Sequence, residues 1–169
     1  GMAQRAASAA LFSRGGGILA QSLDGVDREL LYPAIRSILR NEDAHARGPV
    51  GDVYGRLSDD DLAVLLPDVI AAIEKLAPSN EMFADGIRLA GLDLLSRLHV
   101  REGMSLCIDV IEPGRWGLGQ RLPRCLACLA RYGGHAREFL PRLQDIRREM
   151  RSEEHTSELQ SRFGISYAV

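Results

Sequence analysis

A helix start, an apolar stripe and a proline follow one another in residues 57–69, which read LSDDDLAVLLPDV. Ser58 and the three aspartates after it are typical of a helix N-cap and first turn, because their oxygens accept free backbone N–H groups near the positive end of the helix dipole. The same arrangement occurs in residues 23–35, LDGVDRELLYPAI, where Asp24 takes the cap position. Pro33 and Pro67 are 34 residues apart, so the chain is predicted to repeat a helical unit of that length.

Two further segments extend the repeat towards the carboxyl end. Residues 139–143, FLPRL, place Pro141 74 residues after Pro67, which leaves room for two units. The skipped unit, Gly103–Ile111, keeps the apolar spacing but has Ile108 where a proline is expected. A proline inside a helix costs about 3 kcal/mol, so its recurrence predicts a repeated kink in a curved stack of helix pairs.

The remaining sequence up to Met150 is also predicted to be helical. Apolar residues recur at spacings of three and four, and no stretch alternates as a strand would. Turns are predicted where glycine, proline and small polar residues cluster, at residues 15–17, 77–80, 112–114 and 133–134. The sequence therefore predicts an all-α protein.

Residues 126–143 carry a resemblance to a known class of repeats. They read LACLARYGGHAREFLPRL, a helix, a glycine turn and a second helix with Leu-Pro-x-Leu, and this unit resembles the HEAT-repeat branch of the armadillo-like α-solenoids. The resemblance covers roughly residues 17–150. It implies a right-handed α-α superhelix of about four antiparallel helix pairs, in which each pair buries its apolar faces against its neighbours.

The last nineteen residues, 151–169, differ in composition from the leucine- and arginine-rich sequence before them. They read RSEEHTSELQSRFGISYAV. This stretch resembles the translation of a DNA adapter used in short-read sequencing libraries. The alternative is an ordinary polar extension. We therefore expect residues 1–150 to be a HEAT-like domain drawn from a longer array in a larger bacterial protein. Residues 151–169 are expected to be an artefactual or disordered tail.

Candidate chemical residues are sparse. Cys125 and Cys128 form a single CxxC without the second pair of a zinc site or the preceding strand of a redox motif, so they are interpreted as buried core residues. His45, His99 and His135 lie far apart and are interpreted as capping or surface residues. No catalytic motif is present. We therefore expect no enzyme activity, no metal, no cofactor and no small-molecule substrate.

Charge is distributed unevenly along the chain. The net charge is -2, yet residues 59–112 hold eleven acidic and four basic side chains, and residues 115–148 hold eight arginines and two acidic residues. A row of guanidinium groups suits phosphates or an acidic partner. The predicted partner or anion surface consists of Arg121, Arg124, Arg131, Arg137, Arg142, Arg147, Arg148 and Trp116. Trp116 is expected either to anchor a partner or to plug the space between two helix pairs.

These observations predict a non-catalytic scaffold that mediates protein–protein interaction. Nucleic-acid or polyanion binding through residues 115–148 is the first alternative, and support of an enzyme domain outside this chain is the second. No apolar run is long enough to span a membrane, and three cysteines do not make a disulfide framework, so we expect no membrane partner and a cytoplasmic location by default.

An array cut from its neighbours exposes apolar faces at both ends, which predicts self-association. Sedimentation of the chain at rising protein concentration is expected to show a growing average mass, together with a broad thermal transition. A monomer that melts in one sharp transition would contradict this prediction.

Overall fold

Helices are the only regular structure in the computed structural model, which describes the backbone of residues 2–75 and 81–163 and their side chains except those of 81, 82 and 153–163. The all-α prediction is confirmed for these residues. In chain order the helices, with η for 3₁₀ segments, are α1 (Met2–Phe12), α2 (Arg28–Leu39), α3 (Ala44–Arg47), η1 (Gly48–Arg56), α4 (Asp59–Glu74), α5 (Glu81–Arg97), α6 (Glu102–Ile111), α7 (Leu118–Arg131), η2 (Gly133–Phe139) and α8 (Leu140–Phe163).

The start of α4 is the helix start that the sequence predicts. Ser58 Oγ accepts a hydrogen bond from the backbone N–H of Asp61, and Asp61 accepts one from the N–H of Ser58 at 3.0 Å. Asp61 also binds α2, because its carboxylate accepts from Arg28 Nε at 3.0 Å and from the Tyr32 hydroxyl at 2.7 Å. The N-cap of α4 is therefore also the polar link between α2 and α4.

Pro33 and Pro67 lie inside α2 and α4, as the repeat predicts. The predicted correspondence of the caps is wrong, because α2 is capped by Asp27 and not by Asp24. Residues 24 and 25 instead form a turn, in which Gly25 has a φ of 71°. The two prolines thus stand at different distances from their helix starts.

Pro141 was predicted to kink a helix and does not. It is the second residue of α8, where a proline removes no helical hydrogen bond. A third internal proline is instead Pro123, in α7. Proline positions alone therefore do not define an exact repeat in this chain.

The turns predicted from glycine and proline fall between helices. Gly133, with a φ of 57°, separates α7 from η2, and residues 112–117 connect α6 to α7. Residues 15–17 follow α1. The predicted turn at 77–80 lies outside the described residues.

Helix α5 is the centre of the core. It packs against η1 and α7 and also against α3, α4 and α6. A Cβ added to Gly51 would lie 2.7 Å from the Ala90 Cβ, and one added to Gly91 would lie 2.7 Å from Ile73 Cγ1. These two glycines therefore allow η1 and α4 to approach α5 more closely than any side chain would permit.

Helix α8 runs past Met150, the predicted domain end, to Phe163. Ile146 is buried in the core, and Leu143 and Met150 are partly buried beside it. Residues 164–169 lie outside the described residues. The helix over residues 151–163 does not test whether this segment is translated adapter, so that interpretation stays a prediction. None of the helices in the described part of the chain has the length and apolarity to cross a bilayer.

Asp61→Asn is expected to lower the free energy of unfolding at pH 7 by about 3 kcal/mol, because it weakens buried, charge-assisted hydrogen bonds and leaves Arg28 without its partner. Although burial raises the pKa of Asp61, hydrogen bonds from Arg28, Ser58 and Tyr32 outweigh it and hold the pKa well below the usual range. The contribution of Asp61 is thus complete above about pH 5 and is lost as the pH falls through the lower, folded-state pKa. Urea unfolding at a series of pH values measures this effect. The difference in the free energy of unfolding between the wild type and Asp61→Asn should shrink as the pH falls.

Asp60→Asn is the matched control, since Asp60 is exposed in the same first turn of α4. It is expected to change the stability by less than about 0.5 kcal/mol. Equal losses in the two variants would contradict a special role for Asp61.

Candidate binding groove

An open groove of about 750 Å³ lies between η1, α5 and α7. We call it the arginine groove. Its lining is Arg14, Gly48, Gly51, Asp52, Tyr54, Gly55, Gly86, Ala90, Asp93, Arg97, Arg124 and Arg131. The volume lies within the range of ligand pockets, but the site is open to water along its length.

Small residues make the groove wide. A Cβ added to Gly48, Gly55 or Gly86 would meet no atom within 4 Å, so the space above their backbones is free. Gly86, Ala90, Asp93 and Arg97 recur at spacings of four and three along α5, which places them on one face of that helix. This face of α5 forms one wall of the arginine groove.

Four arginines and two aspartates set the charge of the groove. Asp93 accepts from Arg131 Nη1 at 2.6 Å and lies 3.2 Å from Arg97 Nε, so one carboxylate serves two guanidinium groups. The hydrogen bond to Asp93 raises the pKa of Arg131. Arg14 and Asp52 approach to 3.8 Å. The lining thus carries an excess of two positive charges.

Arg124 is the groove arginine best placed for a ligand. It is exposed, and it makes no ion pair with any residue in the described part of the chain. Arg131 follows it by seven residues, two helical turns, on the same face of α7. Two of the predicted surface arginines therefore come together in the arginine groove, where Arg131 is already paired and Arg124 is unpaired.

Arg121 does not belong to that surface. It is only 3% exposed. Its guanidinium donates to the carbonyl oxygen of Trp116 at 2.7 Å and to Asp85 Oδ2 at 3.2 Å. The inner face of α7 is formed by Arg121, Cys125, Cys128 and Leu129, with Leu122 and Leu126 towards its edge. Arg121 therefore holds the loop before α7 and is not available to a partner.

Arg137, Arg142, Arg147 and Arg148 are exposed on η2 and α8, and none of them lines the arginine groove. Arg142 lies 2.8 Å from Glu149, and Arg148 lies 2.6 Å from Asp145. Arg142 and Arg148 are thus partly neutralised by acidic residues of α8. The structure thus separates the predicted row into a groove pair, a buried residue and an exposed group.

Trp116 is 68% exposed in the loop between α6 and α7. The expectation that it plugs the space between helix pairs is therefore wrong. Its carbonyl is held by Arg121, which leaves the indole on the outside of an anchored loop.

Sequence reasoning missed four of the six charged residues that line the groove, Arg14, Asp52, Asp93 and Arg97. Arg14 and Asp52 are 38 residues apart, and no local pattern connects them. The face of α5 that lines the groove could be recognised in the sequence. It has small and polar residues, whereas the leucines of the same helix, Leu89, Leu92 and Leu95, are buried. That face could have been found by reading both faces of the helix.

The three cysteines lie in one buried cluster between α6 and α7, as free thiols. Hydrogen bonds to Cys125 and Cys128, together with burial, raise the pKa of the Cys107 thiol well above its usual range. The interpretation of the CxxC cysteines as core residues is confirmed. Among the described residues, no group of three histidine, cysteine or acidic side chains is arranged to hold a metal ion.

We expect all three thiols of the folded protein to react with a disulfide reagent at least 100-fold more slowly than in the unfolded protein, since burial excludes the reagent. Absorbance of the released thiolate measures the rates. Ser105→Cys is the control, because residue 105 is exposed on α6 and should add one fast thiol. Fast reaction of a wild-type thiol would contradict the buried cluster.

The chain matches no protein-family model, and searches of curated proteins and of solved structures found no significant match. The resemblance to HEAT repeats therefore rests on the sequence pattern.

Proposed function

We propose that this chain is a non-catalytic, HEAT-like helical module that binds an acidic segment of a partner protein in the arginine groove. The arrangement of the helices supports the first part of the proposal. Helices that follow one another in the chain contact each other, α4 with α5, α5 with α6 and α6 with α7. A solenoid requires such contacts between chain neighbours, so they support the proposal.

The single observation that carries the binding proposal is the unpaired Arg124 in a wide groove with excess positive charge. A guanidinium group binds a carboxylate through two parallel hydrogen bonds. The space above the backbones of Gly48, Gly55 and Gly86 is free, which leaves room for a ligand beside Arg124. An acidic peptide segment meets both conditions.

An acidic peptide fits this groove better than a nucleic acid does. Asp52 and Asp93 interrupt its arginines, so the groove has no continuous row of cations that could follow a phosphate backbone. Its only aromatic lining residue, Tyr54, is buried in the core and gives no exposed ring on which a base could stack. The overall charge of -2 also lacks the basic excess of most nucleic-acid-binding domains.

Arg124→Glu is expected to weaken binding of a fluorescent Asp- and Glu-rich peptide about tenfold, because it replaces an attractive charge by a repulsive one at the ligand. Fluorescence anisotropy measures the affinity. Arg147→Glu is the matched control: it makes the same change of charge on exposed α8, outside the groove, and is expected to leave the affinity within about twofold.

Equal weakening in both variants would indicate a nonspecific effect of net charge and would contradict the groove. Tighter binding of a single-stranded oligonucleotide, with about a 100-fold loss between about 50 and about 200 mM salt, would instead support the nucleic-acid alternative.

A further inference from the structure

Arg47, the last residue of α3, is a completely buried guanidinium, with 0% of its surface exposed. Its Nη1 donates to the carbonyl oxygen of Lys75 at 3.1 Å, next to the carboxyl end of α4. Its Nε and Nη2 have no hydrogen-bond partner among the described residues. These two atoms form one edge of the guanidinium plane, the edge that accepts a carboxylate side-on through two hydrogen bonds.

The carboxylates nearest to this guanidinium are engaged elsewhere. Glu42 and Asp43 are the acidic residues whose charges act on it. Glu42 Oε1 lies 2.6 Å from Lys75 Nζ, and Asp43 binds Arg5 and the backbone N–H of His45. Burial and Arg88 of α5, a second cation, lower the pKa of Arg47, whereas Glu42 and Asp43 raise it. No described carboxylate therefore occupies the free edge.

Tyr54 of η1 is the second unpartnered group in this region. It is 2% exposed, and its hydroxyl has no hydrogen-bond partner among the described residues. Burial raises the pKa of Tyr54 well above its usual range, so the hydroxyl stays protonated and able to donate. Arg47 and Tyr54 belong to α3 and η1, which pack against each other and against α5. The charge of Arg47 also acts on Tyr54, so the two side chains lie in the same part of the core.

Leaving three donor-bearing atoms of two buried side chains without partners is costly, because each lost its hydrogen bonds to water on folding. A buried guanidinium is tolerated when an anion completes it. We propose that the free edge of Arg47, with the hydroxyl of Tyr54, forms an interior binding site for a single carboxylate. Tyr54 and Gly48, the residue after Arg47, both line the arginine groove.

The test uses sodium acetate as the probe, exchanged for sodium chloride at constant ionic strength. Acetate that binds only the folded state raises Tm in proportion to the logarithm of its concentration above Kd. We expect a rise of about 3 °C or more for the wild-type protein and none for Arg47→Met, which keeps an unbranched, mostly aliphatic side chain but removes the guanidinium group. No rise in the wild type, or the same rise in Arg47→Met, would overturn the proposal.

Tyr54→Phe keeps the test decisive if Arg47→Met fails to fold. It removes only a hydroxyl that has no protein partner, so it should fold normally and show a smaller acetate response. An unchanged response in Tyr54→Phe would overturn the proposed site, which includes this hydroxyl. Arg148→Met is the matched control, since it breaks an exposed ion pair with Asp145 on α8 and should keep the full response.

The acidic peptide distinguishes two sources of the carboxylate. If the site binds a carboxylate side chain of the peptide, saturating acetate should weaken peptide binding, and so should Arg47→Met. If it takes a small free acid, acetate should leave the peptide affinity unchanged. Both results support the site, and the acetate response of Arg124→Glu should equal that of the wild type whether or not the groove binds peptides.

Discussion

Helix α5 is approached by α4 on one side and by η1 on another, and at both contacts a glycine removes the side chain that would hold the elements apart. Gly91 lies against Ile73, and Gly51 lies against Ala90. The approach of Gly51 to Ala90 places η1 against the small-residue face of α5, and residues of both elements line the arginine groove beside this contact. The packing that builds the core is therefore the same packing that shapes the candidate binding surface.

Buried charges hold the connections between these helices. Arg88 donates to the carbonyl oxygen of Ile73 at 3.0 Å, and Arg47 donates to that of Lys75, so two guanidinium groups bind carbonyls at the end of α4. Arg121 does the same for the loop before α7 and is paired with Asp85. Arginine suits this role because it has five donors in a rigid plane. A buried guanidinium is stable only if all of its N–H groups have hydrogen-bond partners. Arg47 lacks partners for Nε and Nη2 among the described residues.

Local signals in the sequence were sufficient for the helical class and for the start of α4, because a capping box is formed by residues three apart. They were insufficient where tertiary contact decides. Pro141 was predicted to lie inside a helix, but α8 begins at Leu140, and Arg121 was predicted to lie on a partner surface, but it is buried on the inner face of α7. The pairing of Arg14 with Asp52 has no local signal at all. The repeat pattern placed Pro33 and Pro67 inside helices but misplaced the cap of α2 and the role of Pro141.

The distribution of acidic residues around the arginines determines what each can bind. A guanidinium that already has a carboxylate partner gains little from a second one, because the ligand replaces one ion pair by another of similar free energy. Arg131 and Arg97 share Asp93, and Arg142 and Arg148 have partners on α8. Arg124 has none among the described residues and faces an open groove. Affinity for an acidic segment should therefore depend mainly on this residue, while the paired arginines set the shape and orientation of the bound chain.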